Sequence, residues 1–93
     1  MRKPKRFGIL VMPAVLRIRG MRFYIYVGDE HEPAHVHVKW SECEVIVILD
    51  ESNGRGRVRE IVGPVHGSDL ARIHIVVAEY FDTLMATWSA YHR

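Results

Sequence analysis

Asp29, Glu30, His31, Glu32, His35 and His37 fall within one short stretch, and each can bind a metal, move a proton or hold a charged group. Pro33 fixes its own φ and disfavours helix at Glu32, so residues 29–33 read as a turn. His35-Val36-His37-Val38 then alternates as a strand does, with His35 and His37 on one face and the valines on the other. Two imidazoles at that spacing suit three roles. They supply two nitrogens to a Zn²⁺ site, completed by His31, Glu32 or Asp29. They form the acid and base of a metal-independent ribonuclease, with nearby arginines taking up the phosphate charge. Or they are the polar side chains of an ordinary strand. Outside this stretch nothing in the chain resembles a zinc motif: Cys43 is the single cysteine, and there is no second His-x-His. The expectation is therefore no cofactor, with zinc as the alternative.

The elements that position this pair can be read on either side of it. Ala14 to Arg19 alternates, with Leu16 and Ile18 on one face and Arg17 and Arg19 on the other. Gly20-Met21 reads as a type II′ hairpin turn. Arg22 to Val27 continues with Phe23, Ile25 and Val27 opposite Arg22, Tyr24 and Tyr26. After the histidine strand, Ser41 and Glu42 interrupt the pattern. Val45 to Leu49 is apolar on both faces, which marks a central strand or one covered by a partner. Residues 50–54 form a turn cluster, Gly54-Arg55-Gly56-Arg57 reads as a further turn, and Arg57 to Val62 is a fifth strand.

Ser68 is the candidate N-cap of a helix, with Asp69 in its first turn. Leu70, Ile73, Val77, Tyr80, Phe81, Leu84, Trp88 and Tyr91 recur at helical spacing. The β-branched run at residues 73–77 competes as a strand, but the helical period runs through and beyond it. Unbroken from Asp69 to His92, this helix would be roughly 36 Å long at 1.5 Å per residue, so it bends or overhangs. Trp88 and Tyr91 read as core, His66 as a loop residue, and His74 and His92 as packing residues at the edge of the apolar stripe.

The expected fold is α+β: a four- to five-stranded antiparallel sheet with one long C-terminal amphipathic helix on one face. The helix covers Leu16, Ile18, Phe23, Ile25, Val36 and Val38. Arg17, Arg19, Arg22, Tyr24, Tyr26, His35, His37 and Lys39 then share the other face. Interleaved cations and aromatics on an open sheet are what single-stranded RNA binding uses, and also what a solvated sheet face can carry.

With 93 residues the chain makes one domain, and an apolar share of 48% with mixed charge belongs to a folded protein. No apolar run approaches the ~20 residues of a membrane span. A lone cysteine forms no internal disulfide and suits a reducing cytoplasm. The net charge of +2 is unevenly spread: residues 1–22 hold seven basic side chains and no acid, while residues 23–54 hold seven acids and one lysine. Residues 1–11 read as a flexible basic arm or a start-site extension ahead of a single domain over 12–93, since Met12-Pro13 is itself a plausible start. Bulk charge is thus a weak argument for nucleic acid, because four basic side chains lie in residues 1–11.

Met12-Pro13, Arg17, Gly20, Phe23-Tyr24-Ile25-Tyr26, Glu32-Pro33-Ala34-His35-Val36-His37 and Trp88 together resemble domain-of-unknown-function family 4160. These are small bacterial proteins with a Pro-Pro-His-aromatic-His core stretch. Here Ala34 stands at the second proline and Val36 at the aromatic position. The family is usually encoded beside another small protein, in a two-gene arrangement like a toxin–antitoxin pair. The resemblance implies a protein partner from the neighbouring gene and a prokaryotic cytoplasm, and it supplies no catalytic residues. Three expectations follow for the chain. It is a module component that binds its partner and acts on RNA through His35 and His37, with Arg17, Arg19 or Arg22 on phosphate. Or it is a non-catalytic interaction domain, a homodimer included, using its helix and the Val45–Leu49 strand. Or it is a small zinc-binding domain built on His31, Glu32, His35 and His37.

Overall fold

A computed structural model describes residues 14–27 and 33–92 of the chain, so the basic arm over 1–11 and residues Asp29 to Glu32 lie outside the described residues. Among the described residues five strands come first: β1 (Leu16–Ile18), β2 (Met21–Tyr24), β3 (His35–Trp40), β4 (Cys43–Asp50) and β5 (Arg55–Val62). Two helices follow, α1 (Gly67–Glu79) and α2 (Phe81–Tyr91). The strands form one antiparallel sheet in chain order, each paired with the next.

The pairing follows from the alternation. Leu16 faces Phe23, Phe23 faces Val38, and Val38 faces Val45. Directly opposed residues share a face, so these apolar side chains form one continuous surface. Ile73, Val76 and Val77 of α1 and Leu84 and Trp88 of α2 join the same buried cluster. Val45 to Leu49 is apolar throughout because β4 lies between β3 and β5; Val45, Val47, Ile48 and Leu49 are buried within the domain.

Several local expectations are corrected. The first hairpin turn is Arg19-Gly20, with φ of 51° and 81°, and not Gly20-Met21. Positive φ at both central residues is the type I′ pattern, whose twist matches the flanking strands. Met21 instead opens β2, pairs with Ile18 and is buried. Arg55, Gly56 and Arg57 are strand residues. Gly56 sits there because α1 approaches closely: an added Cβ would stand 2.5 Å from a methyl of Val47 and 3.1 Å from one of Val77. Glycine is needed at that crossing for clearance.

The helix starts two residues earlier than Ser68 suggested. His66 is the N-cap, and its backbone N–H donates to the Asp69 carboxylate at 3.0 Å. The single long helix is in fact two, parted at Tyr80, whose φ of −106° and ψ of 22° leave the helical range. No proline or glycine marks this break. Its structural effect lies in Leu84 and Trp88, both buried: the change of direction takes α2 to the end of the sheet where β3 begins and β4 ends. There Met85, Trp88 and Ser89 line one cavity with Pro33, Ala34 and Ile48. No helix among the described residues is long and apolar enough to cross a membrane.

Candidate nucleic-acid interface

The outer face of the sheet is laid out in rows by the strand register. In one row Arg17 faces Arg22, Arg22 faces Lys39, and Lys39 faces Glu44. In the next, Tyr24 faces His37 and His37 faces Ile46. In a third, His35 faces Ile48 and Ile48 faces Arg57. Arg19 does not join them. The turn carries it to the helix side, where it lines a cavity with Ser68, Arg72 and Glu79.

The first row sets three cations directly opposite one another on adjacent strands. Like charges in that position destabilise a sheet. At about 4.8 Å between strands the row is roughly 10 Å long. Beside it Tyr24 and Tyr26 stack with ring centroids 5.9 Å apart and planes within 7°. The Lys39 Nζ lies 5.8 Å and 5.7 Å from the two ring centroids. A hydrogen bond with Tyr26 is the main cause that raises the Lys39 pKa above its ordinary value, with partial burial working against it. Lys39 therefore keeps its charge throughout the physiological range.

The second and third rows hold the histidines, and their environments differ. His37 is half-buried, and its Nδ1–H donates to the Glu44 carboxylate at 2.8 Å. Its ring meets Tyr26 edge-on at 4.7 Å. His35 is buried, 2% exposed, and its Nδ1–H donates to the Pro33 carbonyl at 3.0 Å. The Trp88 indole lies 5.0 Å from the His35 ring, and His92 stacks on that indole at 3.7 Å. With His35 and His37 5.3 Å apart, six rings make a continuous series: Tyr24, Tyr26, His37, His35, Trp88, His92.

So the structure brings His35 and His37 to one face, as the alternation requires, but the two are not equivalent. His37 has the arrangement of an imidazole held by a carboxylate, and His35 is an interior residue. Both Nδ1 atoms are engaged in hydrogen bonds, His35 with the Pro33 carbonyl and His37 with the Glu44 carboxylate. No group of three or more His, Cys, Asp or Glu suited to a metal occurs among the described residues, and His31 and Glu32 lie outside them.

Two participants were not singled out in the sequence. Glu44 is one. Reading Ser41-Glu42 as a two-residue hairpin turn would have placed it opposite Lys39 and diagonal to His37. Trp88 is the other: its helical spacing marked it as core, and nothing local tells that it also covers His35.

A family model described as Domain of unknown function (DUF4160) matches residues 20–89. The chain belongs to this family. The match spans both tyrosines, both central histidines, Glu44 and Trp88. No curated protein and no solved structure matches the chain.

Proposed function

We propose that this DUF4160 protein is the RNA-engaging component of a toxin–antitoxin-like two-gene module, acting in the cytoplasm with a protein encoded by the neighbouring gene as its partner. Single-stranded RNA lies on the outer sheet face, its phosphates along Arg17, Arg22 and Lys39 and its bases on Tyr24 and Tyr26. The observation that carries this reading is the row of opposed cations. It costs the sheet stability, and a polyanion is what offsets that cost. The flush tyrosine pair beside it provides a surface on which bases stack whatever their sequence.

The test is the salt dependence of binding to a labelled single-stranded RNA, followed by fluorescence anisotropy. Three phosphate contacts give a slope of log K against log salt of about −2, from roughly 0.7 per contact. Replacing all three cations with alanine should flatten it. Wild-type protein that binds no RNA in low salt overturns the reading. Growth on induced expression, with and without the neighbouring gene, tests the module: toxicity relieved by the neighbour supports it, and indifference in both cultures argues for a plain interaction domain.

A second reading rests on the His37–Glu44 hydrogen bond. Glu44 fixes the imidazole, as a general base requires. In this reading His37 takes the proton of a ribose 2′-hydroxyl, and the 2′-oxygen attacks the adjacent phosphorus. The bond to the 5′-oxygen breaks to leave a 2′,3′-cyclic phosphate, the leaving oxygen taking a proton from water. The cation row carries the charge that builds on phosphorus. His35, buried under Trp88, serves as a positioning residue for His37. Cleavage lost in Glu44→Gln with RNA affinity unchanged supports this reading. An RNA left intact by wild-type protein leaves RNA binding alone.

A further inference from the structure

We infer that β5 is a dimerisation edge, and that its occupant is β5 of a second copy of this chain, running antiparallel about a twofold axis. β5 ends the sheet among the described residues, pairing with β4 on one side. It is eight residues long, whereas β1, at the other end, has three. A long edge strand normally carries charge or irregularity that discourages pairing. β5 does carry three arginines, yet Ile61 and Val62 are 46% and 47% exposed, and Ile75 on α1 is 66% exposed.

The strand is complementary to itself in one register, with Arg57 opposite Glu60 of the second copy. A bulge in the β4–β5 pairing makes this possible. Ile48 faces Arg57 and Ile46 faces Glu60, so both charges lie on the outer face although they are three residues apart. Without the bulge they would point to opposite faces. The twofold then produces two Arg–Glu pairs.

The same register sets Ile61 opposite Gly56 of the second copy, and both belong to the helix-side face, since Ile61 pairs with Val45 and Gly56 with Leu49. Beside Gly56 is a hollow of about 410 Å³, lined by Arg55, Gly56, His74, Ile75 and Ala78. Val47 and Val77 fill the space where a Gly56 side chain would stand, so the room for an isoleucine from across the edge is the hollow beside it, walled by Ile75 and Ala78. Each copy thus offers an exposed Ile61 and a hollow with an apolar wall to receive it. An interface in which the same patch serves both subunits is the isologous kind that closes at two copies. The result is one continuous ten-stranded sheet, with the RNA-facing rows of both copies on the same surface.

The experiment is sedimentation equilibrium on the full chain, with circular dichroism as the check on folding. Wild type should be dimeric at micromolar concentration. Glu60→Arg places arginine opposite Arg57 twice and should weaken the dimer at least tenfold, as should Ile61→Asp. The double exchange Arg57→Glu with Glu60→Arg restores both pairs and should restore the dimer. That recovery distinguishes pairing in this register from a general effect of charge. A monomeric wild type overturns the inference, as does a dimer that persists in both single variants or a double exchange that fails to recover association while remaining folded.

Discussion

On one face of the sheet Phe23, Val36, Val38, Val45 and Val47 are buried together with Ile73 and Val77 of α1. On the other, the same strands set Arg17 opposite Arg22, Arg22 opposite Lys39, and a carboxylate against His37. The first arrangement is what burial of apolar area alone would select. The second is not: stability would be better served by alternating charges. A sheet held together by its inner face can carry unfavourable spacing on its outer one. That separation leaves the residue types of the outer face free of the demands of packing.

Trp88 is where the separation is narrowest, because it belongs to the buried cluster and also covers His35. Trp88→Ala should destabilise the protein by roughly 3–5 kcal/mol, measured by urea denaturation, through the lost transfer free energy and the cavity left behind. It should also weaken RNA binding in conditions where the variant remains folded, since the ring series loses its inner support. A loss of stability within about 0.5 kcal/mol would mean that the indole contributes little to the core. Phe23→Ala provides the comparison on the inner face alone: a similar loss of stability, with RNA binding kept by the folded fraction.

Arg22→Ala should divide the two faces more cleanly. Its neighbours on both strands are cations, so its removal relieves repulsion and should leave stability unchanged or raise it by a few tenths of a kcal/mol. The same change should lower RNA affinity and reduce the salt slope by about 0.7. A variant that loses stability in step with affinity would show that Arg22 supports the sheet and not a ligand.

Much of this contrast is legible in the chain because the strand period is two. Leu16, Phe23, Val36 and Val38 declare one face, and Arg22, Tyr24, His37 and Lys39 the other. What depends on register is harder to read. That Arg17, Arg22 and Lys39 stand in line, and that Glu44 reaches His37, follows only once both hairpin turns and the β2–β3 register are placed. Neither Arg19-Gly20 nor Ser41-Glu42 is an Asn-Gly or Asp-Gly pair, the strongest local hairpin signal. The break at Tyr80 has no local marker, because burying Leu84 and Trp88 together is a requirement of the whole fold. His35 could not be recognised as interior for the same reason: the indole that covers it lies more than fifty residues further along the chain.

The titrating groups give smaller effects that still distinguish the faces. The pKa of Lys39 is raised above its ordinary value of 10.5, chiefly by its hydrogen bond with Tyr26. A raised pKa means that the charged form favours the folded state. The contribution is complete below the unfolded value and is lost as pH rises through the folded one. Tyr26→Phe removes the hydrogen bond, so its denaturation midpoint should fall less than that of wild type across that alkaline window. Equal falls would mean that the Tyr26 hydrogen bond does not set the Lys39 charge.

The smallest effect lies outside both faces, at the β4–β5 turn. The Asp50 carboxylate accepts hydrogen bonds from the Ser52 hydroxyl at 2.7 Å, the Ser52 backbone N–H at 3.1 Å and the Asn53 amide at 2.8 Å. The side-chain bonds from Ser52 and Asn53 lead the causes that hold its pKa below the ordinary value of 3.8, with Arg57 adding a lesser attraction. The sign is opposite to that of Lys39. The stabilisation is present above the unfolded pKa and is lost as pH falls through the folded one. Asp50 is half-buried and its hydrogen bonds to Ser52 and Asn53 are exposed, so solvent screens it and the change in denaturation midpoint should be small. Asp50→Asn cannot titrate, so its midpoint should decline less than that of wild type on acidification. Its RNA binding at neutral pH should be unaffected, because the turn contributes no side chain to the cation row. A variant that loses RNA affinity would place this turn within the interface and extend the binding face beyond the rows of β1 to β3.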